Sequence, residues 1–223
     1  MNKMVRNLPE HVRVYNKIRD MVLFGDLVPS QPVTILGLID AVDAGMTPVR
    51  EALRRLTSEG ALQTLGNRRI VVPKLTLSQL EEIYFARLAI EPKIAEISCQ
   101  NQDSSLVKRL EEIDERLNTA IETNDVKAYL RGNYAFHFEL YRAANTPILT
   151  DMAQSLWLRI GPSLRAVCAS QGSSILPDQH EETVKGLAQQ DAKLVSKAIA
   201  EDIRQGMDHV RQAAIFNNSE TEN

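Results

Sequence analysis

From Thr76 to Phe216 the apolar residues recur every three or four positions in six successive runs, and no stretch alternates with the period of a strand. The runs span roughly 77–99, 105–123, 126–144, 147–169, 178–189 and 192–216. They are parted only by short polar breaks: Gln102-Asp103-Ser104, Asn124-Asp125, Asn145-Thr146-Pro147, Gly172-Ser173-Ser174 and Gln190-Asp191. Six helices on connections this short fold as an antiparallel all-α bundle. Pro92 and Gly161-Pro162 interrupt two of them and are expected to kink them. The last residues, 218–223, read as a disordered tail.

The first third has a different grammar. Val14, Ile18, Met21 and Val22 share a helical stripe that ends at Gly25 and Pro29. Thr34 is placed to cap a second helix carrying Ile35, Leu38, Ile39 and Val42. Gly45 breaks the chain, and Thr47 is the expected cap of a third helix with Pro48 at its first position. That helix turns Val49, Leu53 and Leu56 inward and Arg50, Arg54 and Arg55 outward. After Gly60, Leu62–Leu65 and Ile70–Val72 read as two strands about a Gly66-Asn67 turn, with Arg68 and Arg69 at its tip. The chain thus divides into a winged helix-turn-helix over residues 1–75 and a six-helix domain over 76–217.

Charge follows the same division. Residues 1–78 hold 11 Lys/Arg against 7 Asp/Glu, while residues 79–223 hold 15 against 22, so the net charge of −3 conceals a basic first third. A polyanion is therefore expected to meet the first part alone. Two cysteines, Cys99 and Cys168, are too few for a disulfide framework, and no apolar run reaches the ~20 residues of a membrane span. The N-terminus, Met1–Glu10, has no secretory pattern, and a cytoplasmic location is expected.

A helix that follows a sharp turn and carries arginines four residues apart is built to enter the major groove of duplex DNA. Arg50 and Arg54 project from one face, and a guanidinium takes guanine O6 and N7 together. Arg68 and Arg69 on the hairpin are in position for backbone phosphate or the neighbouring minor groove. One such helix reads a half-site, so a homodimer on an inverted repeat is the expected assembly.

The run Thr47-Pro48-Val49-Arg50-Glu51-Ala52-Leu53-Arg54-Arg55-Leu56, then Glu59-Gly60-Ala61-Leu62, resembles the signature of GntR-type transcription regulators. Arg87-x3-Glu91, Asn133-x2-Phe136-His137, and His180 followed by Asp191 resemble the effector domain of the FadR-like subfamily, the FCD domain. The resemblance implies that Thr47, Arg50 and Arg54 open the recognition helix. Two positions depart from the family pattern: Gly45 and Met46 replace a Ser-Arg pair, and an arginine near Leu36 is absent.

In the helical domain Leu130, Tyr134, His137 and Tyr141 share one stripe, which puts His137 on the core side, with Asn133 one turn before it. A histidine there needs a polar partner, a water or a metal. The resemblance implies one divalent cation held by Asn133, His137, His180 and a further ligand. That ligand is Asp202 by family spacing, with His209, ~10 Å further along the helix, as the alternative. Such a donor set suits zinc, nickel or manganese. The other reading leaves the same residues hydrogen-bonded to one another without metal. Arg87 and Glu91, i and i+4, are either a helix-surface pair or, by the resemblance, part of a pocket in which Arg87 clamps a carboxylate effector. Tyr134 and Arg159 are the further effector candidates, and Trp157 is expected to pack in the core.

The sequence is therefore expected to encode a DNA-binding regulator, a repressor, whose DNA affinity responds to a small organic acid. A metal-dependent enzyme in the bundle is the competing class, although HExxH and paired Glu-x-x-His motifs are absent from the sequence.

Overall fold

The computed structural model describes residues 8–171 and 179–219, with side chains placed up to Cys168 and from Gln179 to Ala214. The expected break at Gly172-Ser173-Ser174, the N-terminal Met1–Asn7 and the tail beyond Ser219 lie outside the described residues. The chain forms two compact units. One comprises residues up to Lys74 with Trp157–Ser163, and the other Leu75–Leu156 with the residues from Leu164 on.

In the first unit, α1 (Glu10–Leu23), α2 (Ile35–Val42) and α3 (Met46–Ser58) enclose a core of Val14, Ile18, Val22, Val49, Leu53 and Leu56, all buried. The Thr34 hydroxyl accepts the Gly37 N–H at 3.2 Å and caps α2 as expected, and Asp43 ends it in the left-handed region, φ 50°. α3 starts two residues earlier than its sequence suggests. Gly45 is the N-cap, so Thr47 lies inside the helix and makes no cap. Pro48 still falls in the first turn, where its missing N–H has no intrahelical acceptor to lose.

The wing has three strands rather than two. β1 (Pro32–Val33) pairs antiparallel with β3 (Ile70–Val71), which also pairs antiparallel with β2 (Gln63–Thr64), in the order β1-β3-β2. A two-residue strand ahead of a helix cap has no alternation to read, so β1 was silent in the sequence. The hairpin also turns differently. Its left-handed residue is Arg68, φ 65°, and not Gly66, with Arg68 N–H donating to Leu65 O at 2.8 Å and Leu65 N–H to Arg69 O at 2.8 Å. This is a three-residue loop closed by a left-handed residue.

Among the described residues the remaining helices are α4 (Leu77–Asn101), α5 (Leu106–Glu122), α6 (Val126–Ala143), α7 (Pro147–Gln171), α8 (His180–Ala188) and α9 (Ala192–Ser219), all in the second unit except the Trp157–Ser163 segment of α7. The breaks read from sequence coincide with capping chemistry. Thr76 and Gln79 form a reciprocal capping box, and Asp125 accepts the Ala128 N–H at 3.0 Å. Asn124, Asn145 and Gln190 adopt left-handed φ of 52°, 53° and 55° where the preceding helices stop. Pro92 and Pro162, expected to interrupt their helices, lie within α4 and α7, each assigned as one uninterrupted helix. α9 extends three residues past its expected end at Phe216.

Within the unit α4 packs chiefly on α9, α5 on α6, and α8 on α9. The α8–α9 approach is close: a Cβ added at Gly186 would lie 2.8 Å from Val195 Cγ2 and 3.0 Å from its backbone N. Gly186→Ala is expected to destabilise the protein by about 1–3 kcal/mol through overpacking. Gly206→Ala, which meets nothing within 4 Å, is expected to stabilise by about 0.4–1 kcal/mol. Urea unfolding of both variants tests this difference in sign.

Candidate metal centre and nucleic-acid face

Thr47, Arg50 and Arg54 are exposed on α3, and Arg68 and Arg69 are exposed on the wing. Met46, Arg50 and Arg54 follow one another at intervals of four, so the exposed stripe begins with an apolar side chain, 45% exposed. Leu36 on α2 is 70% exposed.

Arg55 does not belong with the other two arginines. Its Nε donates to Glu59 Oε1 at 2.8 Å and its guanidinium lies 3.8 Å from the centre of the Tyr15 ring. Tyr15 in turn donates to Glu59 Oε2 at 2.6 Å, its hydroxyl pushed up to about 12 by burial and by the adjoining carboxylate. Arg55 thus clasps α1 to α3. Arg55 remains exposed on α3, and this added structural role depends on Tyr15, a partner 40 positions away in sequence.

In the second unit His137 from α6, His180 at the start of α8 and Asp202 from α9 bring ligand atoms within 4.8 Å of one another. Both imidazoles are fully buried. His137 Nε2 lies 3.1 Å from Asp202 Oδ2, and Asp202 Oδ1 accepts the Gln179 N–H at 3.4 Å. His180 Nδ1 lies 3.0 Å from Asp114 Oδ1 on α5, and its ring stacks on Phe136 with centroids 3.8 Å apart. Burial pushes the Asp202 carboxyl up, but the hydrogen bond from His137, the charges of His137 and His180 and the Gln179 N–H outweigh it and hold it at about 2. Asp202 is therefore an anion at neutral pH.

These donors fit a divalent cation. A tetrahedral ion with arms of ~2.05 Å sets neighbouring ligand atoms ~3.3 Å apart, close to the His137–Asp202 separation. Two carboxylates, Asp202 and Asp114, face two imidazoles in the interior, so the group reaches neutrality with a proton on each ring or with one doubly charged ion. Asn133 is half-buried one turn before His137. His209, the alternative ligand, is outside the cluster and its Nδ1 lies 2.7 Å from Gln205 O. Asp114 was not recognised from sequence, since an acidic residue on an acidic amphipathic helix carries no distinguishing mark.

The Arg87–Glu91 pair is not a surface pair. Arg87 is 3% exposed and Glu91 is 0% exposed. Arg87 Nε and Nη2 reach Glu91 Oε1 and Oε2 at 2.6 and 3.1 Å. Tyr141 donates to Glu91 Oε2 at 2.7 Å and lies 3.0 Å from His137 Nδ1. The carboxylate that Arg87 clamps here is the chain's own. Of the other effector candidates, Tyr134 stacks on Phe138 at 4.2 Å and its hydroxyl accepts from Gln154 Nε2 at 3.2 Å. Arg159 is exposed and lies in the segment of α7 grouped with the first unit, where its guanidinium faces Gly60. Trp157 is buried, as expected.

A winged helix-turn-helix with exposed arginines on its third helix, in one chain with a helical domain, defines a DNA-binding transcription regulator. Residues 11–72 match the bacterial regulatory proteins of the gntR family, and residues 82–205 match the FCD domain. The chain belongs to the GntR family and carries an FCD domain.

It is 31% identical to the HTH-type transcriptional regulator McbR of Escherichia coli K12 over 153 residues, 69% of each chain. The solved structure of E. coli McbR/YncC superposes with a TM-score of 0.86 at 27% identity, covering 92% of this chain and 99% of that one. The gluconate operon transcriptional repressor of Bacillus subtilis 168 is 27% identical over 172 residues, 77% of this chain and 68% of that protein. Family and relatives are transcription regulators, so the enzyme reading falls. No helix among the described residues is long and apolar enough to cross a membrane.

Removing Glu91 leaves the Arg87 guanidinium buried without its principal counter-charge. Glu91→Ala is expected to cost about 3–5 kcal/mol, read as a fall in the thermal unfolding midpoint.

Proposed function

We propose that this protein is a metal-loaded, ligand-responsive repressor of the cytoplasm that binds an inverted repeat as a homodimer. Residues 1–75 bind DNA, and residues 76–217 dimerise and sense a small organic acid. The observation that carries the sensing role is the buried His137–His180–Asp202 cluster. Ionisable groups placed at the centre of a helical core are costly unless they are paired or hold an ion.

His137, His180 and Asp202, with Asn133 as a fourth donor, would hold zinc, nickel or manganese. A bound ion supplies a positive centre that attracts carboxylates. Because Arg87 is committed to Glu91, an incoming acid is met by the ion and not by Arg87, with Tyr134 as part of the surrounding wall; Arg159, facing Gly60, drops out of this reading. The name of the gluconate operon repressor points to a sugar acid as one class to test. Asp114 lines an open acidic groove with Glu111, Glu115, Glu122 and Glu181, which concentrates cations beside His180.

Thr47, Arg50 and Arg54 read the half-site, and Arg68 and Arg69 hold its phosphates. The exposed apolar Leu36 and Met46 stand where better-known members carry arginine, so the operator differs from theirs. Phe85 on α4, exposed at 75%, and Ile148 and Met152, one turn apart on α7 and exposed at 76% and 48%, are apolar side chains that a second copy would cover. For the acid to regulate, it must prefer one dimer geometry over another.

Retardation of the protein's own upstream DNA, titrated with metal and carboxylic acids, tests the reading. It fails if no acid alters binding by metal-loaded protein. Arg50→Ala and Arg54→Ala are each expected to lose about 1–3 kcal/mol of operator affinity, while Arg68→Ala lowers the salt slope by about 1. Fluorescence anisotropy across a salt series separates the two effects. The metal is expected to raise the stability of the purified chain by about 2.7 kcal/mol at 100 times its Kd, a gain abolished by EDTA and by His180→Ala in calorimetric melts.

A further inference from the structure

We infer that Tyr141, anchored by the Arg87–Glu91 pair, is a positioning residue that fixes the proton of His137 on Nδ1 and so presents Nε2 to the metal as a bare ligand nitrogen. The inference rests on the metal reading above and assigns a role to three buried residues that would otherwise have none in it.

Glu91 receives Arg87 Nε and Nη2 at 2.6 and 3.1 Å, and a carboxylate engaged this way only accepts. Tyr141 Oη, 2.7 Å from Glu91 Oε2, must therefore donate to it. A phenol carries one proton. That proton is spent on Glu91. At 3.0 Å from His137 Nδ1 the phenol oxygen has only lone pairs left to offer, so Nδ1–H is the donor. With Nδ1–H committed to Tyr141, Nε2 is the nitrogen that faces Asp202 Oδ2, 3.1 Å away, and the one a cation reaches by displacing any proton held between them.

His180 is set the same way by different means. Its Nδ1 lies 3.0 Å from the Asp114 carboxylate, an acceptor, so its proton also lies on Nδ1 and Nε2 is left as the ligand atom. One ring is oriented by a charged acceptor at the edge of the acidic groove, and the other by a neutral phenol whose direction is imposed from α4. The two supports are independent, so each can be removed while the other remains.

The test combines nitrogen-15 imidazole spectra of the metal-free full-length chain with zinc titration calorimetry. The His137 signals are assigned by their loss in His137→Asn. Nδ1 is expected to carry a proton in the wild type, and a proton on Nε2 alone overturns the inference. Tyr141→Phe keeps the shape of the side chain and removes its oxygen. It is expected to weaken zinc binding 10–100-fold and to lower the unfolding midpoint in EDTA, since Glu91 loses a donor, with cooperative unfolding and the operator affinity of the metal-free protein retained. Zinc affinity equal to wild type in Tyr141→Phe overturns the inference even if Nδ1–H is observed. A wild type that binds no zinc overturns the metal reading instead, and the spectra still decide where the His137 proton lies.

Discussion

The helical domain depends on one constraint: α4 and α6 must meet in a single rotational setting. Glu91 is wholly buried and cannot stay so without donors, and it finds them on its own helix in Arg87 and across the interface in Tyr141. The same interface is fastened further along by Ser98 Oγ donating to Leu140 O at 2.7 Å and by Asn101 Nδ2 donating to Ala144 O at 3.0 Å. Apolar packing alone tolerates small rotations of one helix on another, whereas three polar contacts in a row do not. Because Tyr141 and His137 are one turn apart, the setting that satisfies Glu91 also aims the His137 ring. Stability and ligand geometry are therefore fixed by the same contacts.

In the DNA-binding unit the division of labour falls within one helix. α3 buries Val49, Leu53 and Leu56 completely and exposes Arg50 and Arg54 between them, so the hydrophobic face that holds the unit together also determines where the guanidinium groups emerge. Arg55 is one residue further round and lies over Tyr15 instead. There its stem and charge fasten α1. One residue of offset, about 100° of rotation, is what carries Arg55 over the Tyr15 ring.

Much of this was legible in the sequence because the signals were local. The helices of the second domain announce themselves by period, and their stops by Asn124, Asn145 and Gln190, residues that take up the left-handed backbone at modest cost. The cap at Thr34 and the inward stripe of α3 were likewise visible, as was the pairing of His137 with His180 and Asp202 through family spacing. What was hidden depended on distant partners. β1 exists because β3 offers it an edge, and Asp114 matters because His180 is folded against it. Arg87 and Glu91 have the spacing of a surface pair, and only the packing of α6 over them shows that they are interior. The hairpin defied a local rule, since Arg68 rather than Gly66 accepts the left-handed turn.

Asp114 belongs to two places at once, the wall of the acidic groove and the hydrogen bond that orients His180. A mouth lined with Glu111, Glu115, Glu122 and Glu181 welcomes positive ions and turns away negative ones. In the proposed reading this fixes an itinerary: the metal arrives first and reverses the local sign, and only then does an organic anion find an attractive destination. A regulator built this way answers to two chemical conditions in sequence, the supply of an ion and then the presence of a metabolite, and reports them as one change at the DNA.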